Sequence, residues 1–218
     1  MRHPKMGNRI TIHKKTKTTQ REMKVLIDAG HGIDTPGKRS PDGSFREYLW
    51  NRQVADLVRE GLRASGMDAD LVVTETNDIT LRTRAMRVNK VCDRMGAGNV
   101  LLVSIHANAA GNGKTWMNGK GWSCYTTPGK TKGDALAECF YDVFAKAFPD
   151  RRMRRDLSDG DSDIEASFYI LVKTRCPAVL LENFFYDNRE ECIWLLRDDT
   201  KKRIAEAIVA GLKKYLGR

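Results

Sequence analysis

The sequence predicts a single α/β domain, with a largely parallel or mixed sheet covered by helices on both faces. Three observations carry that prediction. Short apolar runs alternate with longer segments whose apolar positions recur at helical spacing. The run Val-Leu-Leu-Val-Ser-Ile at 100–105 is near-continuous rather than alternating, as in a strand covered on both faces. Two loops rich in Gly and polar residues, roughly 29–45 and 107–120, directly follow such runs, and open α/β sheets place their sites at the carboxyl ends of strands.

The elements follow in order. Lys24–Asp28 is an apolar run ending in Asp-Ala-Gly and reads as the first strand. Arg46–Ser65 carries Leu49, Val54, Leu57, Val58 and Leu62 at helical spacing. Asp70–Val73 reads as a strand, Leu81–Met95 as a helix, and Val100–Ile105 as the central buried strand. Gly121–Tyr125 is a further strand, and Asp134–Phe148 an amphipathic helix. Phe168–Val172 and Ala178–Leu181 read as strands. Lys201–Leu216 closes the chain as a helix with Ile204, Ala207, Ile208, Leu212 and Tyr215 on one face. No repeat or linker interrupts 24–218, which reads as one domain. Residues 1–23 form a separate arm with seven Lys or Arg against the single acid Glu22; Thr-rich and lacking a core pattern, it is expected to be flexible.

The 218 residues, 41% hydrophobic and 30% charged, fit a globular chain large enough to bury a core without metal or disulfide staples. A metal in such a chain is free to serve chemistry. The net charge of +10 favours a polyanion: nucleic acid, anionic membrane or anionic cell wall. A nucleic-acid binder would show aromatics interleaved with Lys and Arg, or a recognition helix. Neither is evident, and no nucleic-acid partner is expected. Five cysteines, an odd number without a CxxC pair, argue against a disulfide framework and a cysteine zinc knuckle. No stretch is long and apolar enough to span a bilayer, and the N-terminus lacks the apolar core of a secretory signal. The expectation is synthesis and folding in the cytoplasm.

Four histidines occur. His3 and His13 lie in the arm, whereas His31 and His106 each closely follow a buried strand and enter a loop of small residues. If those strands are neighbours, both imidazoles emerge on one rim, the usual core of a zinc site that takes a carboxylate as third ligand and water as fourth. Glu47 is the candidate carboxylate. It also completes Ser44-Phe45-Arg46-Glu47, a capping-box pattern in which Glu folds back on the cap amide, and the local pattern alone favours the cap. Glu182 ends the apolar run Pro177–Leu181, where desolvation would raise its pKa toward the range of a general base. Asp159, Asp161 and Asp163 alternate in a Gly-containing loop without the full calcium-loop pattern. Arg151, Arg152, Arg154 and Arg155 form the densest basic cluster and could face carboxylates or phosphates. Trp116 and Trp122 are either sugar-stacking or core aromatics.

Taken in order, Val-Leu-Ile-Asp-Ala-Gly-His-Gly (25–32), Glu47 with Asn51, Leu81-x-x-Arg84 with Asn89, Ser-Ile-His-Ala-Asn (104–108) and Pro-Ala-Val-Leu-Leu-Glu-Asn-Phe (177–184) resemble the type 3 N-acetylmuramoyl-L-alanine amidases, including many phage endolysin domains. The resemblance runs from about Lys24 to Leu216. It implies a mixed sheet of about six strands, a Zn²⁺ ion on His31, Glu47 and His106, and Glu182 as catalytic acid/base. It also implies peptidoglycan as substrate, cut between N-acetylmuramic acid and L-alanine, with the bacterial cell wall as the place of action. The lack of a recognisable secretory signal leads to the expectation of an endolysin-like route to it, or of a chain whose signal has been removed. A zinc peptidase cutting within the peptide stem would need the same site. The sequence departs from the family pattern in Asn183 after Glu182 and in the charged stretch 151–167, departures that bear on substrate contacts more than on the metal site.

Overall fold

Six strands, six α-helices and a 3-10 turn at Ala97–Asn99 make up the described part of the chain, residues 23–218 of a computed structural model. In order they are β1 (Lys24–Ala29), α1 (Glu47–Ala64), β2 (Asp68–Leu71), α2 (Leu81–Met95), β3 (Val100–Asn108), β4 (Ser123–Thr126), α3 (Lys132–Ala147), β5 (Ile164–Glu165), α4 (Tyr169–Lys173), β6 (Ala178–Phe185), α5 (Arg189–Leu195) and α6 (Asp198–Tyr215). The sheet order is β2-β1-β3-β6-β4-β5. β2, β1, β3 and β6 are parallel; β4 runs antiparallel to β6, and β5 runs parallel to β4. This is the mixed sheet that the sequence predicts. Apart from Met23, the basic arm, with His3 and His13, lies outside the described residues.

Both faces of the sheet are covered, which explains why β3 is apolar at almost every position. Leu101, Val103, Ile105 and Ala107 join Val25, Ile27, Val179 and Leu181 in the larger core, together with buried residues of α1, α3 and α6. Leu102, Leu26 and Leu180 point the other way, into a smaller core with Ala85 and Val88 of α2 and Ile170 and Leu171 of α4. Fully burying a side chain such as Ile105 contributes about 1.5–3 kcal/mol. On the second face the alternation continues past Leu102 into Ser104 and His106, past Leu26 into Asp28, and past Leu180 into Glu182. One face of the sheet therefore changes from apolar to polar as its parallel strands approach their carboxyl ends.

The structure corrects one element. Phe168–Val172 was expected as a strand, but Tyr169–Lys173 is a short helix. Its buried residues, Ile170 and Leu171, are adjacent in sequence, while Phe168 and Val172 are exposed. A strand would have buried alternate residues instead. Two elements, β5 and α5, have no counterpart in the sequence reading. All five cysteines are free and four are buried. No helix among the described residues is long and apolar enough to cross a membrane.

Candidate active site

The polar end of the second face is built by backbone geometry as much as by side chains. β1 pairs with β3 so that Asp28 lies beside Ser104 and Ala29 beside Ile105. The chain then leaves β1 through Gly30, whose N–H donates to the Ile105 carbonyl at 3.0 Å. A Cβ at Gly30 would lie 2.1 Å from the His106 ring, so only glycine lets that ring lie against the turn. His31 follows in the left-handed region, φ 63°. Such a conformation in a non-glycine residue is sparsely populated and must be held by its surroundings. Its carbonyl accepts from Arg52 Nη1 at 2.9 Å and Arg84 Nη2 at 3.2 Å.

Arg84 is itself buried. Its Nη1 donates to Asp28 Oδ1 and to the Ala29 carbonyl, both at 2.7 Å, and Ser104 Oγ donates to the other Asp28 oxygen at 2.7 Å. Removing one partner of such a buried pair typically costs about 3–5 kcal/mol. The pair fixes the turn that carries His31. Sequence reasoning did not single out Asp28 or Arg52. The available signal was an acid inside an apolar strand, since a buried charge requires a partner.

These supports bring together three of the predicted residues. Glu47, on the first residue of α1, lies 3.3 Å from His31 Nε2 and 3.1 Å from His106 Nδ1 through Oε1. Each of the three offers one ligand atom within 4.8 Å of the others. The imidazoles meet edge to face, with centroids 4.9 Å apart. Glu47 does not cap its helix. The N-cap is Arg46, without a side-chain cap bond, and the Ser44 hydroxyl turns to Asp42. Glu47 is 1% exposed, whereas the His31 and His106 side chains are 18% and 16% exposed, so the cluster is sealed from below and open on one side.

Glu182 lies opposite His106 in the β3–β6 register and is placed on the same face. Just beyond it β6 carries an extra residue: His106 and Asn108 pair with Glu182 and Phe185, and Phe184 takes φ 64°. That bulge turns Phe184 into the core and Phe185 toward a neighbouring cleft. Asn183 is buried. Its Nδ2 donates to the His106 carbonyl at 2.8 Å, and its Oδ1 accepts from the Trp122 indole at 3.1 Å. The departure from the family pattern at 183 is therefore a core hydrogen bond. Trp122, fully buried and stacked on Phe144 at 4.2 Å, cannot stack on a sugar. Trp116 is half-buried beneath the Arg189 guanidinium.

The electrostatics separate the two carboxylates. Burial works to raise the pKa of Glu47, but the two imidazoles override it and hold the carboxyl well below its ordinary range. Burial lowers His31, partly offset by Glu47, whereas for His106 burial is overcome by Glu47 together with Glu182 and Asp28, so that its pKa is raised. Burial pushes Glu182 up to about 7, with Glu47 adding to the effect and His106 opposing it. Glu47 Oε2 and Glu182 Oε2 are both buried without a hydrogen-bond partner, Lys38 Nζ being 3.7 Å from the former. A charged carboxylate with one oxygen between two imidazoles and the other orphaned suits a divalent cation, and His/Glu/His is a donor set that zinc takes. Among the described residues this is the one cluster of three or more such groups; Asp159, Asp161 and Asp163 do not form another.

A cleft of about 400 Å³ opens over His31, His106 and Glu182, walled by Ile79, Leu81, Phe168 and Tyr169. Chemically the arrangement suits a hydrolase that activates water at a bound metal ion beside a carboxyl tuned for proton transfer. The chain belongs to the N-acetylmuramoyl-L-alanine amidase family, whose sequence profile matches residues 25–214. It is similar to the N-acetylmuramoyl-L-alanine amidase LytC of Bacillus subtilis strain 168, with 30% identity over 88% of this chain and 35% of that protein. It is also similar to the endolysin of Bacillus phage SPP1, with 27% identity over 88% of this chain and 65% of the endolysin. The chain thus spans about a third of the first relative and just under two thirds of the second. Two solved structures share the fold. AmiC2 of Nostoc punctiforme is 28% identical, and the N-acetylmuramoyl-L-alanine amidase of Clostridium difficile 630 is 27% identical. Both have a TM-score of 0.73 and cover 90% of this chain and 98% of theirs.

Proposed function

We propose that this chain hydrolyses the amide bond between N-acetylmuramic acid and L-alanine in bacterial peptidoglycan, with Zn²⁺ held by His31, Glu47 and His106 and with Glu182 as general base and acid. The observation that carries the reading is the convergence of two imidazoles and one buried, half-orphaned carboxylate beside a second carboxyl whose pKa is pushed up to about 7. Bound zinc would acidify a water and polarise the scissile carbonyl.

The protein's own groups do the rest. Glu47 supplies the single negative charge among the three ligands, and its low proton affinity keeps it ionised. Glu182 takes the proton of the attacking water on its desolvated carboxylate and passes it to the departing L-alanine nitrogen, since an amide anion is a very poor leaving group. Its raised pKa serves both halves of that transfer. The apolar wall of Ile79, Leu81, Phe168 and Tyr169 takes the less polar faces of the muramoyl unit and keeps bulk water from that side. The bacterial cell wall is the place of action, and the likeness to a phage endolysin supports an endolysin-like route to it.

Mass spectrometry of peptidoglycan digested by the zinc-loaded protein tests this reading. The expected products are intact stem peptides with a free L-alanine amine and glycan with a free lactyl carboxylate, and chelation should stop their release. Fragments cut within the stem would assign a peptidase instead.

A further inference from the structure

The basic cluster at 151–155 divides into two parts. Arg151 pairs with Glu190 at 3.0 Å and lies over Trp194, and Arg155 lies over Tyr141. Arg152 and Arg154 form no ion pair and donate no side-chain hydrogen bond among the described residues, yet Arg154 is half-buried over the Phe185 ring at 5.0 Å. Both arginines line a second cleft of about 370 Å³ together with Lys120, Asn118 and Tyr125.

The position of this cleft is set by the sheet. Tyr125 of β4 lies opposite Leu180, two residues before Glu182, and Ser123 lies opposite Glu182 itself. Tyr125 and Glu182 are therefore on one face, and Asn108, just past His106, forms the far wall. The segment carrying the arginines is fastened to β4 by Trp122 N–H to the Arg152 carbonyl at 2.9 Å and Arg154 N–H to the Trp122 carbonyl at 2.8 Å. Gly121, at φ 106°, allows this approach; a Cβ there would lie 2.6 Å from the Arg152 carbonyl oxygen. The cationic cleft thus adjoins the catalytic cleft across β6 and β4, with Tyr125 of the one packed against Phe168 of the other at 5.2 Å between ring centroids.

The geometry points to an anion subsite in which Arg154 and Arg152, with Lys120, bind a carboxylate of the leaving peptide one or two residues beyond the scissile nitrogen. The inference rests on the amidase reading for the identity of that peptide. Two residues of extended chain reach roughly 7 Å, enough to pass from Glu182 into the adjoining cleft. A half-buried guanidinium lacking a partner carboxylate is a poor structural element but a ready bidentate donor. The division of labour follows: the apolar wall takes the sugar side of the bond and the arginines take the peptide side.

Binding separates this inference from the amidase reading, because it requires no turnover. The probe is the tripeptide L-Ala-γ-D-Glu-L-Lys, with the glutamyl α-carboxyl and the C-terminal carboxyl free, compared with the same peptide bearing carboxamides at both positions. Titration calorimetry on the zinc-loaded wild type should show the amidated peptide binding at least about tenfold more weakly, the loss expected when charge-assisted hydrogen bonds are removed. Arg154→Gln with Arg152→Gln should reduce affinity for the free acid to the level of the amidated peptide, with the melting temperature checked against wild type. Arg152→Gln alone, at an exposed position, should reduce it in part even if the double variant does not fold. Equal wild-type affinity for the two peptides would overturn the proposal, as would a folded double variant that still discriminates between them. Stronger competition by glycerol phosphate than by the free-acid peptide would also overturn it, because the site would then be a phosphate site. Absence of muramoyl-amide cleavage with the discrimination intact would overturn the reaction and leave the subsite standing.

Discussion

At Glu47 the local pattern and the long-range contacts make different demands. Ser44-x-x-Glu47 matches a capping box, but the carboxylate is turned to His31 and His106, which come from two other parts of the chain. A four-residue pattern could not show this, whereas the ordered set of five motifs could. Glu47→Gln keeps the size and the capping ability of the side chain while removing the charge. Dialysed against chelator-buffered zinc, it should bind metal far more weakly than wild type; unchanged metal affinity would restore the cap reading. Glu182→Gln should keep the metal and lose about 10²–10⁴ in rate, the usual contribution of a general acid/base. If elemental analysis found it empty, the roles of the two glutamates would have to be exchanged. The pH profile adds an independent check. Glu182 must be ionised to accept a proton, so kcat/KM should fall as pH drops through its pKa. That pKa is about 7 from burial and will be lower with a dication nearby. The acid limb should be absent from the residual rate of Glu182→Gln; the same limb in both proteins would contradict the assignment.

At the scale of elements, what was legible was whatever the sequence repeats locally. The long helices α1, α2, α3 and α6 and the strands β1, β3 and β6 follow the apolar periodicity closely. The elements decided by distant partners were not legible. α4 has strand-forming residues but buries an adjacent pair, because it lies across the second face over α2 and β6. β5 is two residues long and exists only through its pairing with β4. The β6 bulge leaves no mark in the apolar pattern, yet it turns Phe184 into the core and Phe185 toward the arginine cleft. β5 also carries a pH signature. Just before it, Asp163 is buried and accepts from the Thr126 hydroxyl of β4. Burial, with Asp161 beside it, pushes its carboxyl up to about 7, against about 3.9 in an unfolded chain. A raised acid pKa means that the folded state holds the proton more tightly, so its contribution to stability is present below about pH 4 and is lost as pH rises to about 7. Melting temperatures from pH 5 to 8 should therefore fall in wild type and fall less in Asp163→Asn. An identical slope in both proteins would show that Asp163 does not hold its proton.

At the scale of the molecule, charge is unevenly distributed along the chain. Six of the ten net positive charges lie in residues 1–23, which precede the first core strand and include none of the four site residues. If the arm acts as a tether to the anionic wall, its effect is electrostatic and separable from the chemistry. Exposed charges are screened over about 8 Å at physiological ionic strength, so a tether of this kind weakens steeply with salt, whereas hydrolysis within a cleft does not. Deleting residues 1–22 should leave cleavage of a small soluble muramoyl-peptide within about twofold, since surface changes remote from a site shift energies by only a few tenths of a kcal/mol. The same deletion should lower co-sedimentation with intact cell walls at low salt, and the gap between full-length and truncated protein should close as salt rises. Equal sedimentation of both forms at low salt would show that the arm contributes nothing to wall binding. A loss of activity on the small substrate would show instead that residues before Met23 pack on the catalytic domain, and that the boundary drawn from composition is misplaced.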